Sequence, residues 1–452
     1  MSKINPTDLY LAEPYSHAAG ATMVTEAGTV DFDSFLTQKL VTPAGSVAIL
    51  CRDPAISALT ASRLDGFARI ISILPWDEEP ARLQNLIDLG GFEVVISDDR
   101  TALSSMLADG GLSVLGLKEL ETCSRERQRQ LTTEWLVPTS GTTSSPKLVR
   151  HTSQSLAQVA FSASSVTDRQ EVWGLLYDLS CFAGLQVLFQ SVFRGKTLVA
   201  PPTTWNLDSR IDFLATHSVT HLSATPTLWR KILMSPYSSR LKLQQITLGG
   251  EAADQNVLSA LRTRFPEARV THVYASTESG VGFWVSDGKA GFPSDFLKAQ
   301  PGKPELAIRE GRLHVRSSGA ASTYSDGQPI QLAGWVDTGD LIEVKGDRFF
   351  IAGRENQVLN VGGDKVLVES VRSVLLSCPE VEDVNVYGQP NPITGTLVAC
   401  EVVLSAGVDE QSGRRAIDSY SESQLSRSER PRIIRFVSEL KTNSTGKAHR
   451  SE

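Results

Sequence analysis

Cysteine is scarce in this chain. The five residues, Cys51, Cys123, Cys181, Cys378 and Cys400, lie far apart and form no CxxC pair. That excludes a disulfide framework or a zinc knuckle and points to a reducing compartment. Seven histidines are scattered without an HExxH, so no zinc-protease helix is expected. Positive charge is not in excess: 44 Lys and Arg stand against 51 Asp and Glu, a net charge of -7. With no basic run interleaved with aromatics, nucleic acid is not an expected partner. No apolar run approaches the length of a bilayer span, and the opening MSKINPTDLYLAEPY lacks the charged-then-apolar layout of a signal peptide. The cytoplasm is the expected location. Internal repeats are lacking too.

What is present is an ordinary globular composition, 41% hydrophobic and 21% charged, in 452 residues. Such a length calls for more than one domain. Between about residues 30 and 280, β-rich runs alternate with helix-like segments. The strand candidates are 46–51, 92–97, 134–139, 196–201, 220–225, 244–249 and 269–275, with NVLSALRTRF (256–265) as one of the helices. This alternation predicts an α/β unit with doubly wound, mostly parallel sheets. Beyond about residue 300, GRLHVRSSGAASTY and DRFFIAGR read as an antiparallel portion. The chain then reads strand, helix, strand, strand, helix, strand, a small mobile α+β domain. Val368, Val371 and Leu375 fall at helical spacing, and RIIRFV (432–437) is the last strand candidate. The stretches 409–415 and 421–430 are polar and expected to be solvated.

The stretch TSGTTSSPK (139–147) directly follows a strand candidate, on the rim where α/β sheets place their ligands. Gly141 frees the backbone, successive N–H groups and the hydroxyls of Thr139, Ser140, Thr142 and Thr143 supply donors, and Lys147 adds positive charge. It is not the GxxxxGK[ST] P-loop. By composition alone it reads equally as a surface loop. Four further stretches follow in order: LGGEAA (248–253), VYASTESG (273–280), GWVDTGDL (334–341) and GRENQVLNVGGDKV (353–366), before the chain closes on TNSTGKAHR (442–450).

In these stretches the chain resembles the adenylate-forming superfamily of acyl- and aryl-CoA ligases, carrier-protein adenylation domains and luciferases. Its signatures TSGTTGxPK, YGxTE, TGD, GRxxDxxxxxG and TGKxxR all have counterparts here in order. The resemblance implies roles. Thr139, Ser140, Gly141, Thr142, Thr143 and Lys147 would hold the β- and γ-phosphates of ATP. Tyr274 would stack on adenine, and Gly249, Gly250 and Glu251 would line the adenine and acyl pockets. Thr277 and Glu278 match the TE pair, with Glu278 on Mg²⁺, a hard ion suited to oxygen ligands. Asp340 would accept the ribose hydroxyls, Arg354 would lie near ribose and phosphate, and Lys447 would be the catalytic lysine. An AMP-binding N-terminal domain of residues 1–354 would then precede a cap of residues 357–452, hinged at 355–356. Swinging the cap would bring Gly362 and Gly363 to the cleft, where pantetheine passes close to the backbone.

The acid pocket is expected around Cys181 and Phe182, together with Gly249, Ala275 and Gly280. Glycines 280 and 282 would leave room for a ring, favouring an aryl or medium acyl acid. Asp178 reads as a turn or capping residue. The chain departs from the family at Ser144, Leu148 and Ala275, where Gly is usual, and at Asn356, where Asp or Lys is usual. The implied activity is ATP-dependent activation of a small carboxylic acid through an acyl-adenylate, then thioester formation with coenzyme A. Loading a carrier-protein phosphopantetheine stays open, as does a non-catalytic nucleotide-binding relative, and so does a monomer or a homodimer.

Overall fold

A computed structural model describes residues 20–32, 45–76, 80–107, 112–116, 132–139, 146–162, 171–391 and 395–440. Four sheets organise them.

The first sheet has eight strands. Its parallel body runs, in spatial order, Arg269–Ser276, Gln245–Gly249, His221–Ala224, Val172–Gly174, Thr197–Val199 and Thr22–Thr25. Gly280–Val285 and Gly28–Asp31 close its edges antiparallel. The strand order reverses at Val172–Gly174, so the loop after it, 175–181, sits on the switch-point rim.

The second sheet has seven strands, with Ser46–Ile49 between Ile70–Ile73 and Val94–Ser97. Val47, Ala48 and Ile49 are fully buried, as expected of strands covered on both faces. The switch-point crevice of this sheet holds the chain's own anion. The backbone N–H groups of Arg52 and Asp53 each donate to the Asp98 carboxylate at 3.0 Å.

Helix starts are set by local chemistry. Asp53, Asn206, Thr225, Asp254 and Asp409 each accept backbone N–H groups of their own first turn. Prolines 54 and 226 occupy the first turn, where a missing N–H costs nothing.

An antiparallel third sheet contains Trp335–Lys345 and Arg348–Arg354. The fourth sheet, with Val358–Val361, Asp364–Leu367, Val381–Asn391, Gly395–Leu404 and Ile433–Phe436, belongs to the smaller C-terminal domain. That domain has its own core around Val371, Leu375, Val384, Val402 and Ile417. The stretches 409–415 and 421–430, expected to be solvated, are mostly exposed or half-buried; an amphipathic helix, Glu410–Gln424, takes in most of the first and the start of the second. Its Gly413, Ile417 and Ser421 are buried.

The two domains meet across charge. Arg230 and Asp254 of the large domain pair with each other, and Arg230 lies 3.8 Å from Asp383 of the small one. Arg372 of the small domain reaches Asp383 and the Thr227 hydroxyl, both at 3.4 Å. Among the described residues no helix is long and apolar enough to cross a membrane.

Candidate active site

The strands on either side of the Ser/Thr-rich stretch pair with each other. Glu134–Pro138 pairs antiparallel with Leu148–Thr152, and the Thr139 N–H donates to the Lys147 carbonyl at 2.9 Å, closing the loop at its base. Ser140, Gly141, Thr142 and Thr143 lie outside the described residues, as does Lys447. Lys147 is exposed, with its ammonium 4.7 Å from the centroid of the Tyr324 ring. Tyr324 is held beside the hairpin because Thr323–Tyr324 pairs with the strand Leu148–Thr152.

A second group of residues gathers where the first sheet meets the third. Tyr274 stacks on Phe283 with centroids 5.2 Å apart and rings 12° from parallel. Its hydroxyl donates to Asp340 Oδ2. The other oxygen, Oδ1, accepts from Arg354 Nε at 3.0 Å. The register makes this pairing, because Asp340 and Arg354 are direct cross-strand partners. The buried Asp340 carboxylate is therefore the hub of the group. Burial pushes the Tyr274 phenol far above its ordinary range, and the Asp340 charge adds to this. Burial alone would lower the Arg354 guanidinium, but Asp340 and Glu278 hold it above its usual value.

Glu278 lies in the turn after Arg269–Ser276, half-buried, within electrostatic reach of Arg354 and Tyr324. Among the described residues its carboxylate makes no hydrogen bond or ion pair. No group of three or more His, Cys, Asp or Glu able to hold a metal occurs among them. One carboxylate without a partner among the described residues fits the expected Mg²⁺, an ion that keeps most of its shell as water and phosphate oxygens.

The residues expected to hold the acid cluster on the switch-point rim. Cys181, Phe182, Tyr177 and Ala275 share one apolar cluster. The Tyr177 hydroxyl donates to the Gly249 carbonyl at 3.1 Å. Asp178 is the turn residue expected, accepting from the Ser180 N–H at 2.7 Å.

One expectation is revised. Glycines 280 and 282 do not leave open space. A Cβ at 280 would lie 2.6 Å from the Gly319 carbonyl oxygen, and one at 282 would lie 3.0 Å from the Tyr274 ring. The Glu251 carboxylate accepts from the Thr227 N–H at 3.0 Å and lies within electrostatic reach of Tyr177 and of Arg372 of the small domain. Gly362 and Gly363, both with positive φ, form the exposed tip of the hairpin joining Val358–Val361 to Asp364–Leu367.

Sequence reasoning missed Tyr177, Tyr324 and His151. Nothing local marks them, since each acquires its neighbours from a distant part of the chain.

A doubly wound large domain and a small α+β cap, with an Asp–Arg–Tyr hub at their junction, are the architecture of adenylate-forming enzymes. The chain belongs to the AMP-binding enzyme family: residues 77–324 match that family and residues 370–447 match its C-terminal domain. It is 24% identical over 389 residues to a 2-succinylbenzoate–CoA ligase of Geobacillus kaustophilus (strain HTA426), covering 81% of this chain and 78% of that protein. It is 25% identical over 344 residues to 4-coumarate–CoA ligase-like 9 of Oryza sativa subsp. japonica, covering 69% and 62%. The structure of the anthranilate CoA ligase AuaEII in complex with anthranoyl-AMP superposes with a TM-score of 0.77 at 18% identity, covering 98% of this chain and 97% of that one. The o-succinylbenzoate CoA synthetase of Bacillus subtilis in complex with ATP and magnesium gives 0.69 at 20% identity, covering 94% of each.

Proposed function

We propose that the protein is an AMP-forming acid–thiol ligase that activates a carboxylic acid as its acyl-adenylate and transfers the acyl group to coenzyme A. The observation that carries this reading is the Asp340 hub, a buried carboxylate held between the Tyr274 hydroxyl and the Arg354 guanidinium, with Glu278 within electrostatic reach of Arg354. The names of the curated relatives support the reaction class. The acid pocket, with Tyr177, Phe182, Cys181 and Ala275 on its walls, is apolar and suits an aryl or medium acyl group.

The carboxylate and the triphosphate are both anions, so the site must neutralise charge and fix geometry. A carboxylate oxygen bonds to the α-phosphorus while the bond to the bridging oxygen breaks, and pyrophosphate leaves with that electron pair. Lys447 bridges carboxylate and α-phosphate. The loop 139–147 and Lys147 hold the leaving pyrophosphate, and Arg354 screens the charge near the ribose. Mg²⁺ on Glu278, when bound, supplies further neutralisation of the phosphates. The thiol then loses its proton to solvent, its sulfur bonds to the acyl carbon, and AMP leaves. Between the steps the cap of residues 357–452 swings on residues 355–356 against residues 1–354, withdrawing Lys447 and presenting Gly362 and Gly363.

The test is pyrophosphate and AMP release over a panel of aryl and acyl acids, with and without coenzyme A, beside a Lys447→Ala control. Acid-dependent pyrophosphate release and a coenzyme A thioester are expected, and the control should lose both. ATP binding without release for any acid would mark a non-catalytic relative. Adenylate without a coenzyme A thioester would redirect the acceptor to a carrier protein. Wild-type rates in the control would overturn the role of Lys447.

A further inference from the structure

The turn that carries Glu278 is held from outside by a side chain of the other parallel sheet. His151 lies on Leu148–Thr152, the strand leaving the phosphate loop, and is 1% exposed. Its Nε2 is 2.7 Å from the Thr277 carbonyl oxygen, across 126 residues of sequence. Its Nδ1 is 2.9 Å from the Ser155 hydroxyl, and its ring lies 5.7 Å from that of Phe182 in the acid pocket. A carbonyl only accepts, so Nε2 carries the proton, and Nδ1 of the neutral ring is left as an acceptor facing the Ser155 hydroxyl, which also has the Thr152 carbonyl at 3.0 Å.

The peptide groups on either side of Glu278 are both pinned. The Glu278 carbonyl accepts from the Ala321 N–H at 2.9 Å, and the Ser279 N–H donates to Ser276 Oγ at 3.0 Å. In the preceding peptide, the Thr277 carbonyl is held by His151. Fixing both peptide planes fixes the direction in which the side chain between them leaves the backbone. Among the described residues nothing grips the Glu278 carboxylate itself. Its aim therefore comes from the backbone, and His151 is the side chain from outside the turn that sets it.

We propose that His151 is a positioning residue: by holding the Thr277 carbonyl it aims the Glu278 carboxylate at the magnesium of bound ATP and ties that turn to the phosphate hairpin. The proposal rests on the reading of Glu278 as the metal ligand. Burial draws the imidazole down to about 4, in keeping with a neutral ring that donates through one nitrogen only.

The experiment is calorimetric titration of ATP into the full chain, once with Mg²⁺ and once with EDTA. The ratio of the two Kd values is the metal's contribution to binding. The amide of His151→Gln reaches the place of Nε2, whereas that of His151→Asn reaches only the place of Nδ1. His151→Gln should keep the ratio within about threefold, and His151→Asn should lower it about tenfold, the loss expected when a buried carbonyl is left without its donor. Binding in EDTA should be alike in both variants. Ser155→Ala, which frees the ring to turn, should lower the ratio about threefold and covers the case in which His151→Asn does not fold. An unchanged ratio in His151→Asn, or an equal loss in the Asn and Gln variants, would overturn the proposal. Glu278→Gln separates the two readings. If it leaves the ratio intact, the metal assignment of Glu278 fails; if it lowers the ratio and His151→Asn does not, the role of His151 alone fails.

Discussion

At the scale of single residues, the site is built from pairs whose members lie far apart in the chain. Lys147 and Tyr324 are an example. The lysine sits in a motif that chemistry makes conspicuous, while the tyrosine lies in a polar stretch with no pattern of its own. The ammonium over the ring is a cation–π contact, worth on the order of 1 kcal/mol where it is partly desolvated. If this ring holds the lysine toward the phosphates, Tyr324→Leu should weaken ATP binding about fivefold. Tyr324→Phe should not, and the loss should disappear in a Lys147→Gln background. A loss of equal size in both backgrounds, measured by calorimetry, would show that the ring acts independently of the lysine. Glu251 teaches the converse lesson. Its motif was legible but its direction was not, because a carboxylate turns to the nearest donors and cations. Here those are the Thr227 N–H and Arg372.

At the scale of elements, seven strands were legible to within about two residues, whereas Thr22–Thr25, Ile70–Ile73, Ser113–Gly116 and the switch-point strand Val172–Gly174 were not read from the sequence. Val94–Ser97, Gln245–Gly249 and Arg269–Ser276 all lie where runs of β-branched residues placed them. The helix Glu410–Gln424 was legible in the order of elements as the second helix of the small domain, but its buried face was not, since only Gly413, Ile417 and Ser421 mark it. The glycine of the turn that carries Glu278 was legible as a glycine but not for the right reason. Gly280 has φ of +65°, and a Cβ there would meet the Gly319 carbonyl. Its absence of a side chain serves backbone packing rather than substrate room. Gly280→Ala should therefore destabilise the fold by about 1–3 kcal/mol through strain and the enforced shift of residue 319. The check is the urea midpoint. An alanine variant as stable as the parent would show that the turn relaxes freely.

At the scale of the whole molecule, the cap is joined to the large domain through buried charge. Burial alone would lower Arg372, but Glu369, Glu251, Asp383 and Asp254 hold it above the ordinary guanidinium value. A charge so surrounded is worth little compared with an apolar seam, yet removing one partner is expensive because the others stay buried. Arg372→Met should loosen the docked cap, exposing the Glu355–Gln357 turn to limited proteolysis and enlarging the particle in small-angle scattering. Pairing it with Asp383→Leu should recover part of the loss. Unchanged cleavage in the single variant would mean that contacts such as Asn256 to the Leu376 carbonyl and Lys231 to the Leu440 carbonyl suffice to hold the cap.

The residue types of the site and their order along the chain were determined by sequence alone, as were the alternation that builds two wound sheets and the change of character beyond residue 300. These depend on short-range pattern, which backbone geometry and side-chain polarity translate locally. Tertiary structure alone decided that Leu148–Thr152 folds back on Glu134–Pro138, that Asp340 faces both Tyr274 and Arg354, that His151 reaches Thr277, and that Glu251 meets the Thr227 N–H. Each depends on register and packing between segments that are remote in sequence. Which donor finds which acceptor there is settled by where whole sheets come to rest, and no window of neighbouring residues carries that information.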